Sequence, residues 1–382
     1  MHHTKEKKIL IAAGEASGDL HASYLVKAMR TGEPSLQFYG MGGEKLRGAG
    51  VHIIFDISEL SVMGITEVIS HLGHLYRVYS RLKKSLESER PDLVILIDYP
   101  DFNLRLARAA KTCNIPVLYY ISPQVWAWRT SRIKQISKLV DKMIVLFPFE
   151  LPLYEREGVE VSFVGHPLLD IVKVSSSKEE NLKRFGLDEQ KTTIGLLPGS
   201  RLSEVKKILP PMLEAAHKLD KCFNNLQFIL PVAPGLKKEE VVKITERTAV
   251  PITVVDNSIY EVIDCSHLVM VASGTATLET ALLSTPMVII YKMSPVSYLI
   301  GKILVKVPCV GMANIIAGKK VVPELIQGEA TAENIASHVT RMLEDTRYHQ
   351  QMREELSSLR KKLGEPGASM RAAQIALGML SN

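Results

Sequence analysis

The chain has 382 residues, of which 46% are apolar and 23% are charged, and its formal net charge is +6. This composition excludes a disordered chain, and the length favours two domains. The charge is moderate and no stripe interleaves basic with aromatic residues, which argues against a nucleic-acid-binding protein.

The cysteines and the apolar runs exclude further classes. Four cysteines are scattered without the spacing of a metal site, which predicts free thiols in a reducing compartment. No uninterrupted run reaches about 18 apolar residues, so no membrane-spanning helix is expected. The polar residues 1–8 predict no secretory signal.

An apolar run at residues 8–13, followed by small residues, predicts a buried strand, a tight loop and a helix. Glu15, Ser17 and Asp19 follow the strand, at the edge where α/β proteins bind ligands. The two acids would repel phosphate. We therefore interpret the three residues as contacts to a neutral, hydroxyl-rich substrate or as groups for proton chemistry. The alternative is a simple turn with a capping carboxylate.

Residues 60–86 predict a long amphipathic helix with a basic polar side. Val62 and Met63 precede its regular part, and Arg77 and Arg81 lie on the polar side. Basic amphipathic helices dock on anionic membrane surfaces. The alternative is a helix that packs on the core and exposes its basic side to water.

The run at residues 92–98 predicts a buried parallel strand that ends in an acid, Asp98. Residues 99–103 predict a loop that ends with Asn103. Because Asp98 and Glu15 follow strands that end at one edge of a sheet, either carboxylate suits a general base if its surroundings raise its pKa. The alternatives for Asp98 are a helix N-cap and an ion pair with an arginine.

A proline-containing loop at residues 122–129 follows the next strand and holds both tryptophans of the chain. Trp126 and Arg129 suit a sugar face, an acyl chain or a lipid phosphate. A rigid packing corner is the alternative.

A polar stretch at residues 175–181 predicts the connection to a second α/β series. There, Gly199, Ser200 and Arg201 follow a strand at residues 192–197. Backbone N–H groups at a helix start, together with a guanidinium group, suit a diphosphate. The alternative is a plain turn.

Residues 272–280 repeat the pattern of a strand end that leads into a helix. Their small side chains permit close approach of a ligand, and a glutamate one turn into the helix suits the two hydroxyls of a ribose. The predicted donor-binding residues here are Gly274, Thr275, Thr277 and Glu279, joined by Asn314 and Gln327 from two later loops.

In this order, the motifs of the chain resemble those of the lipid-A-disaccharide synthases, a family of GT-B glycosyltransferases. The motifs that carry the resemblance are GEASGD, VMG, DYPDFN, SPQVWAW, GHP, LPGSR, SGTATLE and PELIQ, and they run essentially from end to end of the chain. The resemblance implies two Rossmann-like domains that face each other across a cleft, with a C-terminal helix returning to the first. An acceptor-binding, membrane-facing domain is expected at residues 1–168 with 366–382, and a UDP-sugar domain at 169–365.

The resemblance also implies a reaction. UDP-2,3-diacylglucosamine would be joined to 2,3-diacylglucosamine 1-phosphate (lipid X), giving a β(1→6)-linked disaccharide 1-phosphate and UDP in lipid A biosynthesis. Such enzymes work as peripheral proteins at the cytoplasmic face of the inner membrane, which favours the docking interpretation of residues 62–84. An inverting displacement is our hypothesis, with Asp98 as first choice of base and Glu15 as second, and with Arg201 meeting the charge of the leaving group.

No D-x-D metal motif follows a strand of the second series, so we predict a reaction that needs neither a metal nor another cofactor. The oligomeric state stays open, with a homodimer as one alternative. Two other functions compete. One is a UDP-sugar 2-epimerase of the same two-domain layout, and the other is a peripheral lipid-binding or scaffold protein without a UDP site.

Overall fold

The computed structural model describes residues 6–61, 68–123, 132–293 and 309–381. The chain divides into two compact units, one formed by Met1–Leu169 with Leu363–Asn382 and the other by Asp170–Lys362. Each unit is built on one parallel sheet, in agreement with the expected α/β fold class.

In the described part of the first unit, the sheet has seven parallel strands, whose apolar runs are buried as parallel sheets require. The strands are β1 (Lys8–Ala13), β2 (Gln37–Gly42), β3 (His52–Asp56), β4 (Leu93–Ile97), β5 (Val117–Tyr120), β6 (Lys142–Val145) and β7 (Val161–Phe163). Their order in the sheet is β3-β2-β1-β4-β5-β6-β7.

Helices cover this sheet and carry their apolar sides toward it. They are α1 (Ala16–Gly32), α2 (Glu44–Gly48), α3 (Ser58–Ser61), α4 (Val68–Glu89), α5 (Pro100–Thr112), α6 (Ile133–Ile136), α7 (Leu151–Glu155) and, at the junction of the units, α8 (Leu168–Ile171). In α4, Val78, Leu82 and Leu86 are buried in the core, whereas Tyr76 is 69% exposed. The amphipathic helix is thus confirmed over residues 68–89, and its apolar side packs on the core.

The second unit repeats the architecture with a six-stranded parallel sheet in its described residues, in the order β10-β9-β8-β11-β12-β13. The strands are β8 (Thr192–Leu197), β9 (Leu226–Val232), β10 (Ile252–Asp256), β11 (Leu268–Ala272), β12 (Met287–Tyr291) and β13 (Glu324–Ile326). The helices are α9 (Lys178–Arg184), α10 (Leu202–Cys222), α11 (Lys238–Thr245), α12 (Ile259–Cys265), α13 (Thr275–Leu282), α14 (Met312–Ala317), α15 (Ala332–Glu344) and α16 (Thr346–Lys362).

A last helix, α17 (Ala368–Ser381), belongs to the first unit and packs against α1. Its alanines 372, 373 and 376 are buried. Arg371 fixes the start of the helix, because its Nε and Nη2 atoms donate to the Val164 carbonyl at 2.9 and 2.7 Å. The expected return of the C-terminal helix to the first domain is confirmed.

None of the helices in the described ranges has both the length and the apolar character needed to cross a membrane.

Candidate active site

The strand order of each sheet reverses once, and α/β proteins bind ligands outside the carboxyl ends of strands at such a point. In the first sheet the reversal lies between β1 and β4, whose register pairs Ala13 with Ile97. In the second it lies between β8 and β11, where Leu197 pairs with Val271. The residues that follow these four strands therefore form two pairs of neighbouring loops, one pair in each unit.

Asp98 and Glu15 are brought together at the first reversal point. Burial raises the pKa of the Asp98 carboxyl to about 6, the charge of Glu15 adds to the rise, and a hydrogen bond from the Tyr99 backbone N–H opposes it. Glu15 is exposed and occupies the N-cap position of α1 without a side-chain capping bond. A carboxylate that titrates near pH 6 accepts a proton at neutral pH far better than an ordinary aspartate.

Tyr99 also belongs to this site, although no pattern in the sequence singles it out. A Cβ atom at Gly14 would lie 2.3 Å from the Tyr99 ring, so only glycine leaves room for the ring there. Burial and the charges of Glu15 and Asp101 raise the Tyr99 pKa. In the sequence, Gly14 directly before Glu15 is the one sign that another side chain lies close to the backbone there.

Asp19 is held by the protein's own backbone, which speaks against its predicted role on the acceptor side. Its side chain is buried, and its carboxylate accepts hydrogen bonds from the backbone N–H groups of Gly43 (2.6 Å), Lys45 (3.0 Å) and Leu46 (3.2 Å). Asp19 therefore caps the start of α2 and ties it to α1. The capping carboxylate expected as the alternative at the turn before α1 is not found there, because Glu15 at its N-cap makes no side-chain capping bond.

Asp19→Ala is expected to destabilise the protein by about 3 kcal/mol, because three backbone donors lose their charged acceptor. Chemical denaturation measures the loss. Glu44→Gln, in the first turn of α2, is the control and should change the free energy of unfolding by less than about 0.5 kcal/mol. Folded Asp19→Ala protein should keep its turnover at low temperature. A loss of turnover without a loss of stability would instead support Asp19 as a contact to the acceptor substrate.

Asn103 also has a different position from the one expected. The prediction of a loop at residues 99–103 is wrong, because Pro100 occupies the first turn of α5, where its missing N–H costs nothing. Asn103 is fully buried in that helix. Its Nδ2 atom donates to the carbonyl oxygens of Asp98 (2.7 Å) and Ile97 (3.1 Å). Both hydrogens of its amide group are thus used by backbone carbonyl oxygens, which speaks against its predicted contact with an acceptor sugar.

The remaining first-unit predictions divide in two. Ser17 is exposed in the first turn of α1, next to Glu15, and stays a predicted acceptor contact. The other members lie outside the described residues, and they are Trp126, Arg129, Val62 and Met63.

In the second unit, Gly199, Ser200 and Arg201 follow β8 and lead into α10. Gly199 has φ +115°, a conformation that favours glycine, and a Cβ atom there would lie 2.7 Å from Oε2 of Glu204. Ser200 is exposed, and Arg201 is the N-cap residue of α10 without a side-chain capping bond. The Arg201 side chain is 72% exposed and its Nη1 lies 3.4 Å from Oε1 of Glu204. This loose pair leaves the guanidinium group open to a ligand.

The neighbouring loop contributes Gly274 as the N-cap residue of α13, followed by the exposed Thr275. Glu279, one turn later, accepts a hydrogen bond from the Tyr260 hydroxyl at 3.0 Å, and burial raises its pKa. Tyr260 had no pattern in the sequence to connect it with Glu279. The prediction of Thr277 as a donor-binding residue is not supported, because Thr277 is buried and its Oγ1 donates to the Gly274 carbonyl at 2.8 Å. It closes the first turn of the helix.

Asn314 is a second correction in this unit, and the loop predicted around it is the helix α14. Its Nδ2 donates to the Val322 carbonyl (2.9 Å) and to Oε1 of Glu324 (2.8 Å). Its Oδ1 accepts from the backbone N–H groups of Val321 and Val322. Since both amide hydrogens and both lone pairs are used inside the protein, no capacity remains for a donor substrate.

Gln327 follows β13 with φ +53°. Its amide makes two bonds to the backbone of Met293, at 3.2 and 3.3 Å. One of its two amide hydrogens is therefore used, and Gln327 stays a predicted ligand through the other.

Within the described ranges, no group of three or more His, Cys, Asp or Glu side chains is placed to hold a metal ion.

Comparisons with known proteins give a consistent result. The family model described as "Lipid-A-disaccharide synthetase" matches residues 9–379. A lipid-A-disaccharide synthase of Syntrophus aciditrophicus is 52% identical over 375 residues, covering 98% of both chains. The enzyme of the same name from Geobacter metallireducens is 48% identical over 374 residues, 98% of this chain and 97% of the relative.

Solved structures share the fold at much lower identity. A UDP-GlcNAc 2-epimerase from Neisseria meningitidis, bound to UDP-GlcNAc, aligns with a TM-score of 0.67 at 14% identity, covering 97% of this chain and all of the other. MurG of Acinetobacter baumannii aligns with a TM-score of 0.59 at 13% identity, covering 98% and 99%. Because an epimerase and MurG both align over nearly the whole chain at similarly low identity, these likenesses establish the architecture and leave the chemistry to the residues.

Proposed function

Because the chain belongs to the lipid-A-disaccharide synthetase family, we propose that it joins UDP-2,3-diacylglucosamine to 2,3-diacylglucosamine 1-phosphate. The products are UDP and a β(1→6)-linked disaccharide 1-phosphate. The observation that carries the mechanism is the Asp98 carboxyl at the first reversal point, whose pKa of about 6 suits a base. We assign acceptor binding to the first unit and donor binding to the second.

The proposed reaction is a single inverting displacement. Asp98 accepts the proton of the acceptor 6-hydroxyl as its oxygen forms a bond to the anomeric carbon of the donor. The bond from that carbon to the UDP oxygen breaks, and UDP leaves with the electron pair. Glu15 is the second choice of base. The negative charge of Glu15 also raises the pKa of Asp98. This interaction supports the proposal that both carboxylates belong to one site.

The donor half is proposed from charge and exposure. The Arg201 guanidinium and the backbone N–H groups at the starts of α10 and α13 would bind the diphosphate and stabilise the leaving UDP. Glu279 would accept the ribose hydroxyls, held in place by Tyr260. Gly199 and Gly274 let the backbone approach the ligand, and Ser200 and Thr275 offer exposed hydroxyls.

The function is tested by UDP release from the two diacyl substrates in detergent with EDTA present. We expect release only when both lipids are supplied, together with a disaccharide phosphate, at a rate that added Mg²⁺ leaves unchanged. Loss of activity in EDTA with recovery on Mg²⁺ would contradict the metal-independent reaction. Interconversion of a water-soluble UDP-sugar without either lipid would favour the 2-epimerase. Vesicle binding without UDP binding would favour the scaffold protein.

Because its substrates are lipids, we propose that the enzyme docks on the anionic cytoplasmic surface of the inner membrane through the outer side of α4. Arg77, Arg81 and Lys84 lie three and four residues apart and are exposed, beside the 69% exposed Tyr76. Such spacing places the cations on one stripe of a helix. Each basic residue near an anionic surface contributes about 1 kcal/mol.

Arg77→Ala with Arg81→Ala is expected to weaken binding to vesicles containing phosphatidylglycerol about 30-fold, the equivalent of two such contributions. Vesicle co-sedimentation measures it. The control variant, Arg360→Ala with Lys361→Ala, removes two exposed charges from α16 and should bind normally. Equal loss in both variants would show a general charge effect and contradict docking through α4.

A further inference from the structure

The turn that carries the candidate base is held in an unfavourable backbone conformation. Asp98 has φ +48° and Tyr99 has φ +45°, so two consecutive residues with side chains lie in the left-handed region. Residues other than glycine rarely adopt this conformation, and they keep it only where surrounding groups hold it. The holding groups are thus part of the geometry of the site.

Two buried side chains donate to the same backbone atom of this turn, the Asp98 carbonyl oxygen. The Tyr119 hydroxyl lies 2.6 Å from it and Nδ2 of Asn103 lies 2.7 Å from it. Both side chains are completely buried, in β5 and α5. The two donors approach the turn from neighbouring elements that packing fixes in place.

Tyr119 keeps this role at every pH at which the enzyme would be assayed. Burial and the charge of Asp98 raise its pKa well above the ordinary value, so the hydroxyl keeps its proton. Asn103 is likewise fixed in place, because its Nδ2 atom donates to two backbone carbonyl oxygens, those of Asp98 and Ile97.

We propose that Tyr119 and Asn103 are positioning residues, which hold the left-handed Asp98–Tyr99 turn and thereby keep the Asp98 carboxylate in its partly buried place near Glu15. This inference rests on the proposed role of Asp98 as base. Neither residue touches substrate. Their effect passes through the backbone of Asp98 to the carboxylate that accepts the proton.

Tyr119→Phe tests the inference with the loss of one oxygen atom. We expect kcat to fall about 10-fold with both KM values within twofold, because binding is untouched while the base is less well placed. The acid limb of the kcat–pH profile should move from about pH 6 toward lower pH, since a relaxed carboxylate gains water. Asn103→Ala removes the other donor and should move the rate and the limb in the same directions.

Tyr154→Phe is the matched control. Tyr154 is also a fully buried tyrosine of the first unit, and its hydroxyl is paired with Ser122 Oγ at 2.6 Å rather than with Asp98. It should keep both kcat and the acid limb, so that any general effect of losing a buried hydroxyl appears in it equally. Circular dichroism and the melting temperature verify that each variant is folded.

The outcomes separate the two proposals. If Asp98→Asn destroys turnover while folded Tyr119→Phe and Asn103→Ala keep kcat and the acid limb, the positioning role is wrong and the base role stands. If Asp98→Asn keeps wild-type turnover, the base role itself is wrong and the inference falls with it. A second readout is additivity, because Tyr119→Phe should cause no further loss in the Asp98→Asn background.

Discussion

Asp98→Asn is expected to lower turnover about 10³-fold, the range in which removal of a general base falls. The amide has nearly the same size as the carboxyl but cannot take the proton of the acceptor hydroxyl. Asparagine is also among the residues that best tolerate the left-handed conformation at φ +48°. The backbone turn should therefore survive, and single-turnover kinetics at saturating substrate reports the chemistry.

Asp101→Asn is the matched control for this substitution. Asp101 lies three residues farther along the chain, and its carboxylate is 73% exposed and paired with Arg132. We expect it to retain turnover within about threefold. Near wild-type turnover of Asp98→Asn would exclude Asp98 as the base, and the same test applied to Glu15→Gln would then decide whether the second carboxylate takes the role.

Asp98→Asn should also make the protein more stable at neutral pH. The Asp98 pKa is about 6 in the folded protein and 3.8 is its ordinary value, so folding favours the protonated form. Protonated Asp98 therefore makes its full contribution to the free energy of unfolding below pH 3.8, and this contribution is lost as the pH rises through 6. Removing the ionisable group should thus add about 3 kcal/mol at pH 7.5 and about half of that at pH 5. Chemical denaturation at the two pH values measures the difference. A constant gain would contradict the raised pKa.

Arg201→Ala is expected to weaken UDP binding about 10- to 100-fold, because a hydrogen bond to a charged phosphate contributes about 1.5–3 kcal/mol. The Arg201–Glu204 pair that binding would disturb is loose and exposed, so it offsets little of this energy. Isothermal titration with UDP measures the affinity. The kcat/KM for the donor should fall at least as much, since charge on the diphosphate increases as UDP leaves.

Two variants complete the measurement. Lys207→Ala removes an exposed positive charge in the second turn of the same helix and should leave UDP affinity within about twofold. Arg201→Lys keeps the charge but not the two-pronged geometry, so its affinity should lie between those of the wild type and Arg201→Ala. Unchanged UDP affinity in Arg201→Ala would remove Arg201 from the donor site.

The elements that position the site were predictable because their patterns are local. Strands such as residues 9–13 and 93–97 are continuous apolar runs, and residues 192–197 lead from two threonines into a largely apolar end. A residue that follows such a run lies at the carboxyl edge of a sheet whatever the rest of the chain does. Glu15, Asp98 and Arg201 were found in this way. The strand orders, which place these residues at the reversal points, depend on pairings between distant segments that no local pattern encodes.

The residues that were misplaced are those whose partners lie far away in the sequence or in an unexpected element. Asp19 caps a helix that begins 24 residues later, at Gly43. In the sequence, a carboxylate that binds a distant backbone has the same local pattern as one that binds a ligand. Asn314 lies in a segment with few helix signals and is held by Glu324, ten residues farther on. In both cases the hydrogen-bonding groups of a polar side chain beside a predicted site are taken by other groups of the protein itself.

The return of α17 to α1 also sets the order in which the molecule can fold during synthesis. Residues 170–362 form one uninterrupted stretch and are available as a unit once they leave the ribosome. Most of the first unit emerges earlier, yet the side of α1 that packs against α17 stays uncovered until residues 368–381 follow, nearly 200 residues after the first segment ends at Leu169. The unit that carries the proposed base is therefore made of two segments separated by the whole of the second unit, and its packing is complete only when α17 is present.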